Sequence, residues 1–465
     1  MLIDSYEKDK FFLHLTKLTH QMDPVLAQID QLLEAEELFQ PIKADLARRY
    51  PKTLVTGRNS TPVEVIARLL TVKRLYDLSY EELEYQVSDS LVLRWFCRVY
   101  FHSVPDDTTL IKWARLIQPE TLEAFNQRIL LLAAELKVTR GRNLRTDGTV
   151  VETNIHPASD SRLLADGVRV LGRTLRRAKA VFAEPGELPK AVFRNRTRSA
   201  RKTARQISER LRKGGQTAQA QGQAAYRKLV AITQATLAQS QQVLRELQRL
   251  AAGEGQRLIQ TLETFLPRTL QVIQQTERRV FQGEQVPAGE KIVSLFEAHT
   301  QIIKRDKLKS PVEYGHKVWL NEVDGGLISH YRILNGNPPD PQQWPPSLAQ
   351  HQQLFGRPPD LASADRGVYS PDNEADAHRI GVKRVVLPKP GYRDAERRAY
   401  EKQPWFRRGR RWQSGIEGRI STLKRSYGLD RCRDHGPAGF ARWVGWGILA
   451  ANLKVIGRAL VARMT

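Results

Sequence analysis

Cysteine is almost absent from this chain: Cys97 and Cys432 are the only two among 465 residues. Two isolated thiols build neither a disulfide framework nor a zinc site, which fits a reducing compartment. Long apolar runs are also missing. The longest uncharged apolar stretch, residues 443–453, falls short of the roughly 20 residues of a spanning helix, so no membrane partner is expected. The opening MLIDSYEKDKFF lacks the basic start and apolar run of a secretory signal, and a cytoplasmic protein is expected. Acid is the third scarcity. Against 74 Lys and Arg stand 50 Asp and Glu, a formal net charge of +24. Nucleic acid is the usual partner of such an excess, because each cation that neutralises a phosphate releases condensed counterions.

What is present is the composition of a folded protein, 41% hydrophobic and 27% charged, long enough for roughly two to four domains. In residues 24–50, Val25, Ile29, Leu32, Leu33 and Ile42 recur at helical spacing, and the period returns at Val63, Ile66, Leu69 and Leu70. Asp106 or Asp107 can cap a helix TTLIKWARLI that exposes Lys112 and Arg115. Short helices with cations on one face suit either a helix-turn-helix reader of DNA or a structural bundle. At Asn143 the pattern changes to NLRTDGTVVETNI, rich in Thr and Val and suited to a strand.

The sheet is then interrupted. Residues 194–213 carry nine basic residues and one acid, Glu209, and a long Gln- and Ala-rich helical stretch follows. Leu237, Ser240, Leu244 and Leu247, then Leu258, Leu262, Phe265 and Val272, follow a helical period broken by AAGEG, so a helical hairpin is expected, with Pro267 kinking or ending its second arm. A free coiled-coil module is the alternative. Strand signals resume in KIVSLFEAHTQIIKR, HKVWLNEV and LISHYRIL, the last two joined by a turn at Asp324, Gly325 and Gly326. A helical patch, the strand LASAD, a helix capped by Ser370 with Pro371 first and Gly381 at its end, the strand KRVVLP and strongly basic helices complete the chain.

Three carboxylates stand in telling places. Asp147 lies mid-strand beside Gly148, whose missing side chain would let a phosphate or metal approach. Asp365 ends the LASAD strand, where ligands commonly bind in open α/β sheets. Glu417 sits on the basic helix SGIEGRISTLKRSYGL, two turns from Lys424. Phosphodiester cleavage needs an activated hydroxyl and neutralised charge on the attacking and leaving oxygens, and two Mg²⁺ ions about 3.5–4 Å apart on hard oxygen ligands supply both. Position alone does not single these acids out from Glu152, Asp160, Asp166, Asp306, Asp324, Asp372 and Asp376. Ten cations and two acids between residues 402 and 433 suggest a phosphate track, Arg410, Arg411, Arg419, Lys424 and Arg425 among them. Trp405 and Trp412 in that track either stack on bases or pack in the core, and His156 and His316 are either phosphate or metal contacts or structural.

The segments RTDGTVVETNIHPASDSRLLADGVRVLGR, SADRGVYSPDNEADAHRIGVKRVVLPKPG and QSGIEGRISTLKRSYGLDRCRDHG together resemble the DDE transposases of bacterial insertion sequences, particularly the ISNCY group. The stretch LSYEELEYQVSDSLVLRWFCRVYFHSVPDDTTLIKWARLI is similar to the helical domain that precedes the catalytic domain in related transposases. The resemblance implies an α/β fold: a ribonuclease-H-like mixed sheet with flanking helices, an N-terminal helical domain and a helical-hairpin insertion after the first strand. The expected division is a DNA-binding domain over 1–135, a catalytic domain over 136–170 and 290–465, and an insertion over 171–289 that serves end binding or assembly. It also implies that Asp147, Asp365 and Glu417 are the catalytic triad and hold Mg²⁺ or Mn²⁺, as two ions. Related transposases often place Tyr and Arg before the glutamate and Lys seven after it; here Lys424 fits, position 413 is Gln, and Arg410 or Arg411 are the cations available nearby. Double-stranded DNA, as terminal inverted repeats and target, is then the partner, with a homodimer or larger assembly near the bacterial nucleoid. A DNA-binding protein without catalysis, or a metal-dependent nuclease of the same fold, remain the alternatives.

Overall fold

The computed structural model describes residues 1–19, 21–182, 190–249, 255–304 and 312–464. They form two compact units, Met1–Glu152 with His316–Thr465, and Thr153–Gly315.

The first unit is an α/β structure in which an N-terminal helical stretch and a mixed sheet share one hydrophobic core. Ile29, Ile42, Ile66 and Leu69 from the helices belong to the same buried cluster as Leu144, Val151, Trp319, Leu320 and Ala362 from the strands. The N-terminal helices largely follow the apolar periods: Ile29 and Leu32 of Pro24–Leu32, Ile42 of Gln40–Ala47, and Val63, Ile66, Leu69 and Leu70 of Val63–Leu75 are buried as expected, while Val25 is only half-buried and Leu26 beside it enters the core. Asp106, rather than Asp107, caps Asp107–Leu116 by accepting from the Thr109 amide at 2.7 Å.

Among the described residues the strands are β1 (Asn143–Thr153), β2 (Gln301–Lys304), β3 (Val312–Val323), β4 (Leu327–Ile333), β5 (Leu361–Ala364), β6 (Arg384–Val386) and β7 (Arg431–Cys432). The order across the sheet is β4-β3-β1-β5-β6, and β7 pairs with β1. β1, β5 and β6 run parallel, and β3 and β4 are antiparallel with a register shift between Asn321 and Glu322. The turn between β3 and β4 uses Gly325 and Gly326 at φ of 85° and 76°, a conformation that favours glycine. Its Asp324 does more than turn the chain. Its carboxylate accepts the amides of Arg140, Arg142 and Asn143 at 2.8, 2.6 and 3.0 Å and thereby pins the entry to β1.

Burial works to raise the Asp324 carboxyl, but those amides and the Thr139 hydroxyl together hold it below the ordinary carboxylate value. A depressed carboxyl contributes stability above its unfolded value and loses it as pH falls through the folded one. Asp324→Ala is therefore expected to cost about 2–4 kcal/mol in urea unfolding at neutral pH, since buried amides lose an ionic acceptor, and to flatten the acid limb of stability.

The C-terminal helix Gly436–Val461 is long and apolar enough to cross a membrane by length and composition, with 67% of its most apolar window buried inside the fold. It packs on Pro24–Leu32, Val63–Leu75, Pro119–Glu135 and β4. Asn452 fixes it there: its side chain accepts the Ile328 amide at 2.9 Å and donates to the Ile328 carbonyl at 2.9 Å.

The second unit is mainly helical. Asp160–Val181, Thr197–Lys213, Gln216–Arg249 and Gly255–Thr276 pack on one another around Leu164, Leu171, Ile207, Leu229, Val243 and Leu262. Two helices thus join the two arms of the expected hairpin. Asp160–Val181 passes through Leu171, where a domain edge was expected, and the compact unit begins at Thr153. Gly255–Thr276 continues through Pro267 without ending, because Leu262, Leu266, Thr269 and Val272 bury one stripe across it. Residues 251–254 of AAGEG lie outside the described residues. The strand expected from Lys291 is shorter than its apolar run: Ile292 and Leu295 enter the helical core, and only Gln301–Lys304 pairs, with residues 312–315 of β3.

Candidate active site

Parallel register sets two of the acids at the same level of the sheet. Thr146 on β1 pairs with Ala364 on β5, so Asp147 and Asp365 are the next residues along two adjacent parallel strands. Asp365 opens the cavity at the carboxyl ends of the strands and stands at the head of the short turn Arg366–Val368 without a side-chain capping bond. The helix Pro404–Tyr427 crosses this edge and brings Glu417 to the same cavity, of about 310 Å³, which Asp365, Arg366, Lys389, Arg410, Gln413 and Ser414 also line.

Gln413 sets that helix in place. It is 5% exposed, donates to the Thr146 carbonyl on β1 at 3.0 Å and accepts from the Ser363 hydroxyl on β5 at 2.8 Å. A neutral amide can donate and accept at once, so Gln413 bridges both strands. Gly409 allows the close approach, since a Cβ there would stand 2.6 Å from Val386. A buried ion pair braces the other side of the helix. Arg145 donates to Glu322 at 2.9 and 2.7 Å, donates to the Trp412 carbonyl, and stacks on the Trp412 ring at 4.9 Å.

Electrostatics marks Asp365. Burial first, then the negative charges of Glu417 and Asp340, raise its carboxyl above the ordinary value, against the opposing effects of Arg366 and the Gln413 bond. Asp340 had no signal in the sequence; it reaches the site from the short helical turn Asp340–Gln343 and is paired with Lys317 of β3. Asp147 faces differently. Its Oδ1 accepts the Gly148 amide at 2.7 Å, and it is not among the residues that line the cavity. Among the described residues no group of three or more His, Cys, Asp or Glu is close enough to hold a metal ion. Gly148 leaves room for protein rather than ligand, since a Cβ there would lie 3.1 Å from both Lys317 and Trp319.

Several competing acids are engaged locally. Glu152 pairs with Arg431 at 2.8 Å, Asp160 with Arg279 at 2.7 Å, Asp166 with Arg169 at 2.8 Å, and Asp376 with Arg379. Asp372 lies in the first turn of Pro371–Arg379, and Asp306 lies outside the described residues. Of the track cations, Arg410, Arg411 and Arg425 are exposed and Lys424 is half-buried. Arg419 turns inward, 3.6 Å from Glu322 and mostly covered. Lys112 and Arg115 are exposed on Asp107–Leu116. Trp405 packs on Tyr400 and Phe406, His316 is buried 4.7 Å from the Phe440 ring, and His156 is exposed. Both cysteines are buried and unbridged, and burial pushes the Cys97 thiol up.

Residues 14–116 match the family described as Transposase domain (DUF772). This transposase-domain segment closes at the end of Asp107–Leu116, so it includes Lys112 and Arg115 but none of the three carboxylates. No curated protein and no solved structure matches the chain. The transposase likeness therefore belongs to the N-terminal helices, and the chemistry rests on the cavity's own geometry.

Proposed function

We propose that the chain is a DDE transposase that cleaves the ends of its element and joins the freed 3′-hydroxyls to target DNA. The observation that carries this reading is the convergence of Asp365 and Glu417 on one cavity, next in register to Asp147. The β4-β3-β1-β5-β6 order supports a ribonuclease-H-like catalytic core, and the transposase-domain segment supports the same function from the other end of the chain. The carboxylates suit hard divalent cations in kind, and the crowding of Asp365 by Glu417 and Asp340 is an excess of negative charge that such a cation would relieve. Asp365 and Glu417 would hold Mg²⁺ or Mn²⁺, with Asp147 completing the set once its carboxylate turns from the Gly148 amide. Bound there, the cations would activate a hydroxyl and neutralise charge at the scissile phosphate.

The protein's own part is positioning. Arg410 and Lys389 on the cavity wall would hold the phosphates flanking the scissile bond, while Gln413 keeps Glu417 opposite the strand ends. No side chain serves as nucleophile, so no covalent protein–DNA intermediate forms. Two element ends held together call for at least two copies of the chain. The deciding assay uses labelled DNA from the borders of the coding region with the purified chain in Mn²⁺. Nicked and joined products are expected; nicks without joining would indicate a nuclease, and binding without nicks a DNA-binding protein.

A second test reads the carboxyl directly. Because the folded chain holds a proton on Asp365 more tightly than the unfolded chain does, this group's contribution is full below its unfolded value and lost as pH rises through the folded one. Metal-free Asp365→Asn should therefore melt no lower than the wild type at neutral pH, and Mg²⁺ or Mn²⁺ should raise the melting temperature of the wild type only. A destabilised, still metal-responsive Asn variant would count against the assignment.

A further inference from the structure

The helix Pro404–Tyr427 has two flanks. Arg410, Ser414 and Glu417 lie on the flank that faces the carboxylate cavity. Arg408 and Trp412, four residues apart and so on one stripe, line a separate cavity of about 650 Å³ together with Asn143, Asp360, Lys383 and Arg384. Asn143, Leu361 and Arg384 are the first residues of β1, β5 and β6 and are paired across the sheet in one row. This second cavity therefore sits at the amino ends of the parallel strands, on the opposite end of the sheet from Asp365.

Its charge is lopsided. Lys383, Arg384 and Arg408 are exposed, and the single acid, Asp360, is already shared by Lys383 at 3.1 Å and Arg357 at 3.9 Å. Among the described residues neither Arg384 nor Arg408 has an ion-pair partner. Trp412 is held as a fixed wall by Arg145 stacked on its ring. Arg407 and Arg411 are exposed on the helix ridge between the two flanks, so cations continue from one cavity to the other. One small anion could engage only part of that path, whereas a chain of phosphates spaced along a duplex matches it.

We propose that this cavity is a second DNA-backbone site, which holds duplex leaving the carboxylate cavity over Arg407 and Arg411. It rests on the reading of the chain as a DNA enzyme, and it adds a contact at a place where no cutting chemistry is available. The site holds register and supplies affinity, and every DNA sequence would meet it alike.

The test is fluorescence anisotropy of the full-length chain with a short labelled duplex, across a series of KCl concentrations. The combined Lys383→Ala, Arg384→Ala and Arg408→Ala variant is expected to bind roughly tenfold or more weakly at physiological salt, with the log–log salt slope reduced by about 2–3. Arg384→Lys with Arg408→Lys, which keeps the charges, should keep the slope. Inorganic phosphate at matched ionic strength should leave the duplex bound. An unchanged slope in the alanine variant, an equal loss in the lysine variant, or displacement by inorganic phosphate would each overturn the proposal. A wild-type chain that binds no duplex would instead defeat the DNA reading itself, and loss of cutting in Asp365→Asn with the slope intact would leave this site standing.

Discussion

Asp147→Asn and Asp365→Asn are each expected to reduce metal-dependent nicking by roughly 10³-fold or more, while duplex affinity stays close to that of the wild type. The amide replacement separates chemistry from folding. Asn at 147 retains an oxygen that can accept the Gly148 amide, as Asp147 does at 2.7 Å, and Asn at 365 can still bond to Gln413 across the strand end. What disappears is negative charge at the place where the proposed cation would be held. Glu417→Gln should behave likewise, because Glu417 lies exposed on the cavity wall. The measurement is single-turnover nicking in Mn²⁺ beside anisotropy binding. Wild-type cutting by either Asp variant would remove the carboxylate site from the mechanism.

Glu322→Ala is expected to give the largest loss of stability. Its carboxylate is 1% exposed and accepts both Arg145 bonds, with Arg419 3.6 Å away. Truncation leaves two guanidinium groups facing one another with little water, and breaking one half of a buried pair costs about 3–5 kcal/mol. The melting temperature of this unit should fall by roughly 10 °C. Arg145 also donates to the Trp412 carbonyl, so the loss should loosen the helix that carries Glu417 and lower nicking as well. The double variant Arg145→Met with Glu322→Leu should recover part of the stability, because Arg419, which is 19% exposed, is then the one charge left without its partner. Equal melting of Glu322→Ala and the wild type would show that the pair does not brace the helix.

Local signals were legible where the determinants are local. The periods at Ile29, Ile66 and Leu69, the cap at Ser370, the turn at Asp324 and the strand around Asp147 depend on neighbours in sequence, and they appear where the patterns place them. The strand expected from Lys291 failed because Ile292 and Leu295 find partners in a helical core, which an apolar run does not announce. The helix Asp160–Val181 went unread, although Leu164, Val168, Leu171 and Leu175 mark its buried stripe. At the site, the nearness of Asp365 to Glu417 depends on the bridge made by Gln413, and the influence of Asp340 depends on a turn folding back against the strand ends. Neither has a sequence period. Arg419 reads as a surface cation until Glu322, almost a hundred residues earlier, is brought beside it.

The Asn452 amide has a consequence for how copies of this chain can come together. By taking both backbone groups of Ile328 it occupies hydrogen-bonding positions that an outer strand could otherwise offer to an incoming chain. Sheet extension from one molecule into the next is blocked at that point of β4, and a pairing of two copies there would be carried by side chains.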